Sequence, residues 1–215
     1  MYAHFTPAMT LTIRRQHGIV SGRALRAELA EPDGLDRLHA RGGVISLGAD
    51  LYRVEGHPDS FAGRCVAACL HDRRVVIAGA AAASLWGIDL VYRPSCPDMT
   101  SIDGTADVDR LPRSTVRAAR ALHRDDIVER PDTIRLTTVA RTWYDCVGQT
   151  SMERGIELTE LLLADHGDVA DLWAVVDRVE ATRRGPKGRG YVLLDRVAPR
   201  RQAVSRAGAS RASAA

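Results

Sequence analysis

The amino-acid sequence predicts an α+β protein with a small N-terminal unit, a larger mixed α/β unit and a basic C-terminal tail. Three helix-like segments followed by a hairpin pattern fill residues 1–58. Residues 59–197 combine amphipathic helical segments with short apolar runs that are typical of strands. Residues 198–215 are rich in Ala, Ser and Arg, and we expect them to be disordered. These composition changes place the domain boundaries after residues 58 and 197.

The first two helices are marked by capping residues. Thr6-Pro7 predicts a helix start, because Thr is a favoured N-cap and Pro is favoured at the first helical position. Gly18 is expected to end this helix in a left-handed conformation. Ile19-Val20 then forms a short extended link, and Ser21 is expected to cap a second helix that reaches about residue 30.

A third helix and a hairpin complete the N-terminal unit. Asp33 is expected to cap a helix over 34–41, and Gly42-Gly43 end it. Two apolar runs then flank Gly48-Ala49-Asp50, a pattern that predicts a hairpin with a three-residue loop. An isolated hairpin is marginally stable in water, so this one is expected to pack on the helices. Three helices followed by a hairpin is the order of a winged helix-turn-helix, in which the hairpin is the wing.

This order predicts a DNA-binding surface, because the third helix of such a module enters the major groove. Its outward side chains are expected to be Asp36, Arg37, His39 and Arg41. Arginines there can contact guanine edges or phosphates, and arginines on the wing and near helix ends can contact phosphates. The predicted DNA contacts are Arg14, Arg15, Arg23, Arg37, His39, Arg41 and Arg53. The alternative, a winged helix that binds only protein, stays open.

Charge is distributed unevenly along the chain. Residues 1–58 carry seven arginines against six acidic residues, and residues 59–177 carry thirteen arginines against nineteen acidic residues. Residues 178–215 carry nine arginines and Lys187 against two acidic residues. A basic tail suits either nucleic-acid binding or solubility. The segment RGPKGRG at 184–190 follows a helix rather than a strand, so it is not a P-loop; we interpret it as a connector or, alternatively, as an unspecific DNA contact.

Residues 59–197 are expected to form alternating helices and strands around an aliphatic core. The helical segments carry apolar residues at helical spacing, and the strand segments are short apolar runs bounded by turn residues. The expected helices are 60–71, 79–88, 139–149, 152–166, 169–183 and 191–197, and the expected strands are 75–78, 99–102, 115–118 and 134–137.

The segment TTVARTWYDCVG contains a helix start and a charged pair. Thr138 is expected to cap the helix, and Arg141 and Asp145 are four residues apart, so their side chains can pair on one face. Trp143 and Val147 are expected to pack inward. We interpret Arg141 as a structural residue, with a phosphate contact as the alternative.

Three segments in this order, ADLYRVEGHP, AAAASLWGI and TTVARTWYD, carry a resemblance to a known family. Over about residues 8–195 the chain resembles the AbiEi-type antitoxins, which are transcriptional regulators of type IV toxin–antitoxin systems. The resemblance implies a repressor whose winged helix binds inverted repeats in double-stranded DNA of its own promoter. It also implies a functional partner, a nucleotidyltransferase-like toxin that the antitoxin need not bind directly. The alternative is an interaction module that binds a toxin or another protein without sequence-specific DNA binding.

Other chemical motifs are weak. Cys65, Cys69 and His71 do not form a metal site, because helical geometry directs His71 away from Cys69 and no further ligand pair follows; we expect both cysteines to be buried apolar residues. Asp125-Asp126 is expected to form a solvated turn rather than a nuclease site. No Ser-His-Asp or Cys-His arrangement stands out. We therefore expect no metal, no cofactor and no enzymatic activity.

The sequence also predicts a cytoplasmic protein. No apolar run is long enough to span a membrane, and the N-terminus lacks the pattern of a secretory signal. The four cysteines form no dense disulfide framework, which favours a reducing compartment.

Overall fold

Helices and sheets are both present in the structure, which confirms the predicted α+β class. The computed structural model describes residues 5–29, 31–88, 96–102, 115–116, 122–165 and 167–199. The tail expected to be disordered lies outside the described residues from residue 200 onward. Within the described ranges, no helix has the length and apolar character needed to cross a bilayer.

The N-terminal unit contains three helices and three strands in the predicted order. Thr6 caps the first helix by accepting a hydrogen bond from the Met9 N–H at 3.2 Å, and Ser21 caps the second by accepting from the Ala24 N–H at 3.2 Å. Both predicted caps are confirmed. The elements are α1 (Pro7–Arg15), β1 (Ile19–Ser21), α2 (Gly22–Leu29), α3 (Gly34–Ala40), β2 (Val44–Gly48) and β3 (Leu51–Val54).

The three strands form an antiparallel sheet in the order β1-β3-β2, which is the sheet order of a winged helix. The hairpin loop is shorter than predicted. Only Ala49 and Asp50 lie between the strands, both with positive φ, at 50° and 57°. Such a two-residue turn matches the right-handed twist of a hairpin. Gly48 pairs with Leu51 instead of lying in the loop, because a register shift between Ser46 and Gly48 absorbs one residue.

Each face of this small sheet packs against a different apolar core. Val20, Val44 and Val54 join the buried side chains of α1, α2 and α3. Ile19 and Leu51 point to the other face, where they join the core of the second unit. That face is covered by the next helix, α4 (Phe61–His71), so the wing is stabilised from both sides.

The second unit contains the expected helices and strands together with two elements that the sequence analysis missed. Those two are the 3₁₀ turn Arg124–Asp126 and the strand that follows it. The strands are β4 (Val75–Ile77), β5 (Asp98–Ser101), β6 (Thr115–Val116), β7 (Ile127–Glu129) and β8 (Arg135–Thr137). The remaining helices are α5 (Gly79–Trp86), α6 (Val139–Val147), α7 (Met152–Asp165), α8 (Val169–Thr182) and α9 (Arg189–Val197).

The second sheet has the strand order β6-β5-β4-β8-β7. The central strand β4 pairs parallel with β8 and antiparallel with β5. Helix α4 contributes to the core shared with β4 and β8, whereas α6, α7, α8 and α9 form a second core around Trp143. Trp143 is 1% exposed, and its Nε1–H donates to the Thr159 hydroxyl at 2.9 Å. The predicted inward packing of Trp143 and Val147 is confirmed.

The expectation that Asp125-Asp126 forms a solvated turn is wrong for Asp126. Its side chain is fully buried and accepts hydrogen bonds from Arg141 Nη1 at 3.2 Å and from Arg178 Nη2. Arg141 also donates to Asp145 at 3.0 Å, which confirms the predicted pair and the structural role of Arg141. Asp125 is exposed as expected. The turn is therefore an anchor between α6 and α8, because its buried carboxylate holds arginines from both helices.

A polar contact joins the two units beside their shared core. Nε2 of His17, which follows α1, lies 3.3 Å from Oδ2 of Asp132 in the β7–β8 turn. Arg130 lies 3.1 Å from the same carboxylate oxygen. Close by, His57 packs against the backbone of Gly18, where a Cβ atom would approach His57 to 2.3 Å. Burial, with the neighbouring charges of His17 and Arg14, lowers the pKa of His57.

Candidate nucleic-acid interface

The turn between α2 and α3 sets the geometry of the helix-turn-helix. The Gly34 N–H donates to the Glu31 carbonyl at 3.1 Å, which tightens the connection. Gly34 is buried, and a Cβ atom there would approach the Leu29 Cβ to 3.0 Å. The absence of a side chain at Gly34 therefore lets α3 lie close to the end of α2.

Helix α3 presents its polar side chains outward, as predicted. Asp36, Arg37 and His39 are exposed, whereas Leu35 is buried and Leu38 is half-buried against the N-terminal core. The outward orientation of these side chains is what a recognition helix requires.

Arg37 has two acidic partners in the turn before its own helix. Its guanidinium forms an ion pair with Glu31 and lies 3.4 Å from the carboxylate of Asp33. Asp33 occupies the N-cap position, but its side chain makes no capping hydrogen bond, so the predicted side-chain cap is wrong. The carboxylate instead faces Arg37, four residues further on. Arg37 would have to exchange these partners to contact DNA.

His39 and Arg41 differ from Arg37 in their surroundings. The His39 ring makes an edge contact with Tyr52 of β3, with 6.3 Å between ring centroids, and the imidazole stays exposed. Arg41 follows the last residue of α3 and is exposed. Its backbone N–H donates to the Arg37 carbonyl at 3.1 Å, which fixes the backbone from which the Arg41 side chain extends.

The arginines predicted near helix ends are all exposed. Arg14 and Arg15 lie in the last turn of α1, where positive charge is favourable because of the helix dipole. Arg23 is the second residue of α2, directly after β1. These positions leave the three guanidinium groups accessible to phosphates.

Arg53 lies on strand β3 of the wing, as expected, on the sheet face opposite the N-terminal helices. It pairs across the sheet with Ile19 and Ile45, on the face that α4 covers. Its side chain is 19% exposed, and Nη1 lies 3.7 Å from the carboxylate of Asp59. This placement removes Arg53 from the surface that α3 presents, because its charge has a partner in the segment between β3 and α4.

The tip of the wing is anchored by a residue that the sequence analysis missed. Arg26 of α2 donates to the Asp50 carboxylate at 2.6 Å, and the Gly22 N–H donates to the Asp50 carbonyl at 2.7 Å. The hydrogen bond to Asp50 raises the pKa of Arg26. No local spacing links residues 26 and 50; only the pairing of β1 with β3 brings them together.

The exposed face around α3 therefore carries charges of both signs. Arg23 and Arg41 are exposed, but Glu31, Asp33 and Asp36 lie on or next to α3. Positive charge drives the salt-dependent part of DNA binding, so any affinity of this face for DNA would depend on how strongly the acidic side chains hold Arg37.

Within the described ranges, no group of three or more His, Cys, Asp or Glu side chains is placed to hold a metal ion. Cys65 and Cys69 are buried in the core, as predicted, and burial raises the pKa of the Cys69 thiol to about 11. Residues 184–188 connect α8 to α9, which begins at Arg189 inside the predicted connector, and the Gly188 N–H donates to Glu180 at 3.0 Å.

Comparison with known proteins adds little to this geometry. The fold defined above is that of an α+β protein with an N-terminal winged helix. No family model matches the chain, and no curated protein matches it. The chain is similar to the crystal structure of the RV2827C protein from Mycobacterium tuberculosis, with 17% sequence identity and a TM-score of 0.47. That similarity covers 87% of this chain and 79% of the other.

Proposed function

We propose that this protein is a DNA-binding transcriptional regulator of the AbiEi antitoxin type, acting in the cytoplasm as a repressor of its own promoter. The observation that supports this proposal is the exposed helix α3 on a complete helix-turn-helix with its wing. Two further parts of the proposal rest on the resemblance in sequence: the DNA site is an inverted repeat, and the functional partner is a nucleotidyltransferase-like toxin.

The proposed contacts are narrower than the sequence alone suggested. Arg41 and His39 would contact base edges or phosphates from α3, and Arg37 would join them after leaving its acidic partners. Arg14, Arg15 and Arg23 would contact phosphates. Arg53 is omitted because its guanidinium lies beside Asp59.

Fluorescence anisotropy with the DNA upstream of the gene tests the proposal. We expect sequence-dependent binding, compared with a scrambled duplex, and an affinity that falls steeply across a salt series. The double variant Arg37→Ala/Arg41→Ala should lose specific binding while its thermal unfolding stays unchanged. Arg154→Ala is the matched control, because Arg154 lies on α7 and pairs with Glu157 at 2.7 Å. Equal affinity for both duplexes would contradict the proposal.

The mixed charge of the α3 face favours one second candidate, a protein-interaction module. Glu31 and Asp33 hold Arg37 in the structure, and a face with both signs of charge suits a partner with complementary side chains. Co-purification with the product of a neighbouring gene, together with equal binding to specific and scrambled DNA, would favour this candidate.

A further inference from the structure

A cavity of about 780 Å³ lies at the edge of the second sheet that the strand ends form, where β4 ends and β5 begins. It is far in sequence from the winged helix. Its walls come from the end of β4 and start of α5, from β5, and from α6 and α8. The volume falls within the range of small-molecule sites. We call it the sheet-edge cavity, and none of the proposed DNA contacts lines it.

The sheet end of this cavity presents hydrogen-bond acceptors. Asp98, the first residue of β5, is 9% exposed, and Thr100 lies two residues further along the same strand. Gly79 opposite them has a left-handed φ of 55°, and the Asp98 carboxylate lies 3.8 Å from where its Cβ would be. A side chain at position 79 would be strained and would narrow this end. A ligand group that meets Asp98 should therefore carry N–H or O–H donors.

In the middle of the cavity, the charge of Arg141 is balanced by carboxylates. Arg141 is 4% exposed and is held by the carboxylates of Asp126 at 3.2 Å and Asp145 at 3.0 Å. Asp145 and Gln149 also line the cavity, and the Gln149 amide donates to the Asp145 carbonyl at 3.2 Å. This network fixes the wall in place, which is the condition for a selective small-molecule site.

The opposite end is formed by α8 and the loop after it. Glu180 accepts from the Tyr144 hydroxyl at 3.3 Å and from the Gly188 N–H at 3.0 Å, so its carboxylate is already engaged. Burial, followed by the charge of Glu180, raises the pKa of Tyr144, which keeps its hydroxyl protonated. Arg183 lines this end with an exposed guanidinium whose Nε–H donates to the Pro186 carbonyl at 3.0 Å.

Arg183 is the basic residue of this region that lines the cavity. Arg184, Lys187 and Arg189 are exposed in or next to the same loop but do not line it. The Lys187 ammonium lies 4.6 Å from the centre of the Tyr191 ring, which positions it on the loop. The cavity thus has a carboxylate at its sheet end and one guanidinium, that of Arg183, at its loop end, with Val179 also in its walls.

We infer that the sheet-edge cavity binds a mononucleotide, with donors of the base or ribose at Asp98 and the phosphate at Arg183. A nucleotide combines a flat, partly apolar ring with donor groups and an anionic end, which matches the two ends and the apolar walls. Arg183 suits phosphate because a guanidinium offers several donors in a fixed plane. The inference goes beyond the proposed DNA binding and does not depend on it.

Calorimetric titration of the full chain with AMP, GMP, CMP and UMP tests this inference. We expect one of the four to bind with one molecule per chain, and its nucleoside to bind at least about tenfold more weakly, because the phosphate contact is lost. Inorganic phosphate alone should not saturate the site. The variant Arg183→Ala should weaken binding of the same nucleotide about tenfold.

Arg184→Ala is the matched control for Arg183→Ala, because Arg184 is an adjacent exposed arginine that does not line the cavity. The Arg184→Ala protein should bind the nucleotide with wild-type affinity.

Asp98→Asn tests the sheet end of the cavity. A thermal melt shows whether that variant still folds, and Thr100→Val replaces it if it does not. The inference is overturned if no mononucleotide binds, if the two arginine variants bind equally, or if only an oligonucleotide binds, since that result assigns binding to the surface of the basic loop.

Discussion

Replacing Asp126 by asparagine tests how much the buried charge cluster stabilises the second unit. Asp126 is fully buried and accepts from Arg141, whose side chain is 5% exposed, and from Arg178, whose side chain is 31% exposed. The amide keeps the shape of the carboxylate but exchanges one acceptor for a donor, which would face a guanidinium. Asp126→Asn therefore leaves the buried guanidinium of Arg141 with one carboxylate partner instead of two.

The expected loss of unfolding free energy is about 3 kcal/mol, at the lower end of the range for breaking a buried ion pair. The lower end applies because Arg141 keeps Asp145 at 3.0 Å and because Arg178 is partly hydrated. For a chain of this length that loss corresponds to a decrease in Tm of about 6–12 °C.

Urea and thermal unfolding followed by circular dichroism measure this effect. Asp125→Asn is the control, since Asp125 is the adjacent carboxylate, its side chain is 70% exposed, and its nearest ion-pair partner is His123 at 3.4 Å. We expect the control to change stability by less than about 0.5 kcal/mol. Equal stability of the two variants would refute the reasoning, because it would mean that the buried carboxylate contributes no more than the exposed one.

Three further outcomes follow from the described contacts. The double variant Glu31→Gln/Asp33→Asn removes both acidic partners of the Arg37 guanidinium. If the protein binds its promoter as proposed, this variant should raise the affinity for that DNA about threefold in anisotropy titrations, whereas the control Glu55→Gln should not. Burial, with a neighbouring imidazole, lowers the pKa of His57 in the folded protein. As the pH falls below about 6.5, position 57 is therefore protonated in the unfolded chain before it is protonated in the folded protein, and stability decreases. His57→Gln should reduce this acid-induced loss of stability in denaturation curves. Gly155→Ala places a Cβ 2.7 Å from a methyl group of the buried Leu193 in α9, and this crowding exceeds the helix preference of Ala over Gly, so the net cost by urea unfolding should be up to about 2 kcal/mol.

Local sequence signals predicted the helices and strands well because their causes are local. Thr6, Ser21 and Thr138 each accept a hydrogen bond from a backbone N–H three residues ahead, and each cap was readable from residue type and the apolar pattern that follows. The i, i+4 pair of Arg141 and Asp145 was readable for the same reason.

The charged contacts that define the surfaces were not readable, because their partners are distant in sequence. Asp126 is 52 residues from Arg178, and Arg26 is 24 residues from Asp50. Arg53 was expected on the wing surface, but its orientation depends on which sheet face α4 covers, and strand periodicity alone does not specify that. The strand β7 was missed because an acidic pair precedes only two apolar residues.

The position of the N-terminal unit, and with it of α3, relative to the second unit follows from their shared core. Ile19 and Leu51 of the small sheet are 3% and 2% exposed and pack in one cluster with α4, β4 and β8. His17 and Asp132 add a polar contact at the same boundary. The spacing between two α3 helices on an inverted repeat would therefore depend on how two second units meet, since half-site spacing follows from the geometry of the protein pair. DNA-binding measurements on this protein thus require the full chain, because removal of α4 would expose Ile19 and Leu51 and uncover one face of the wing.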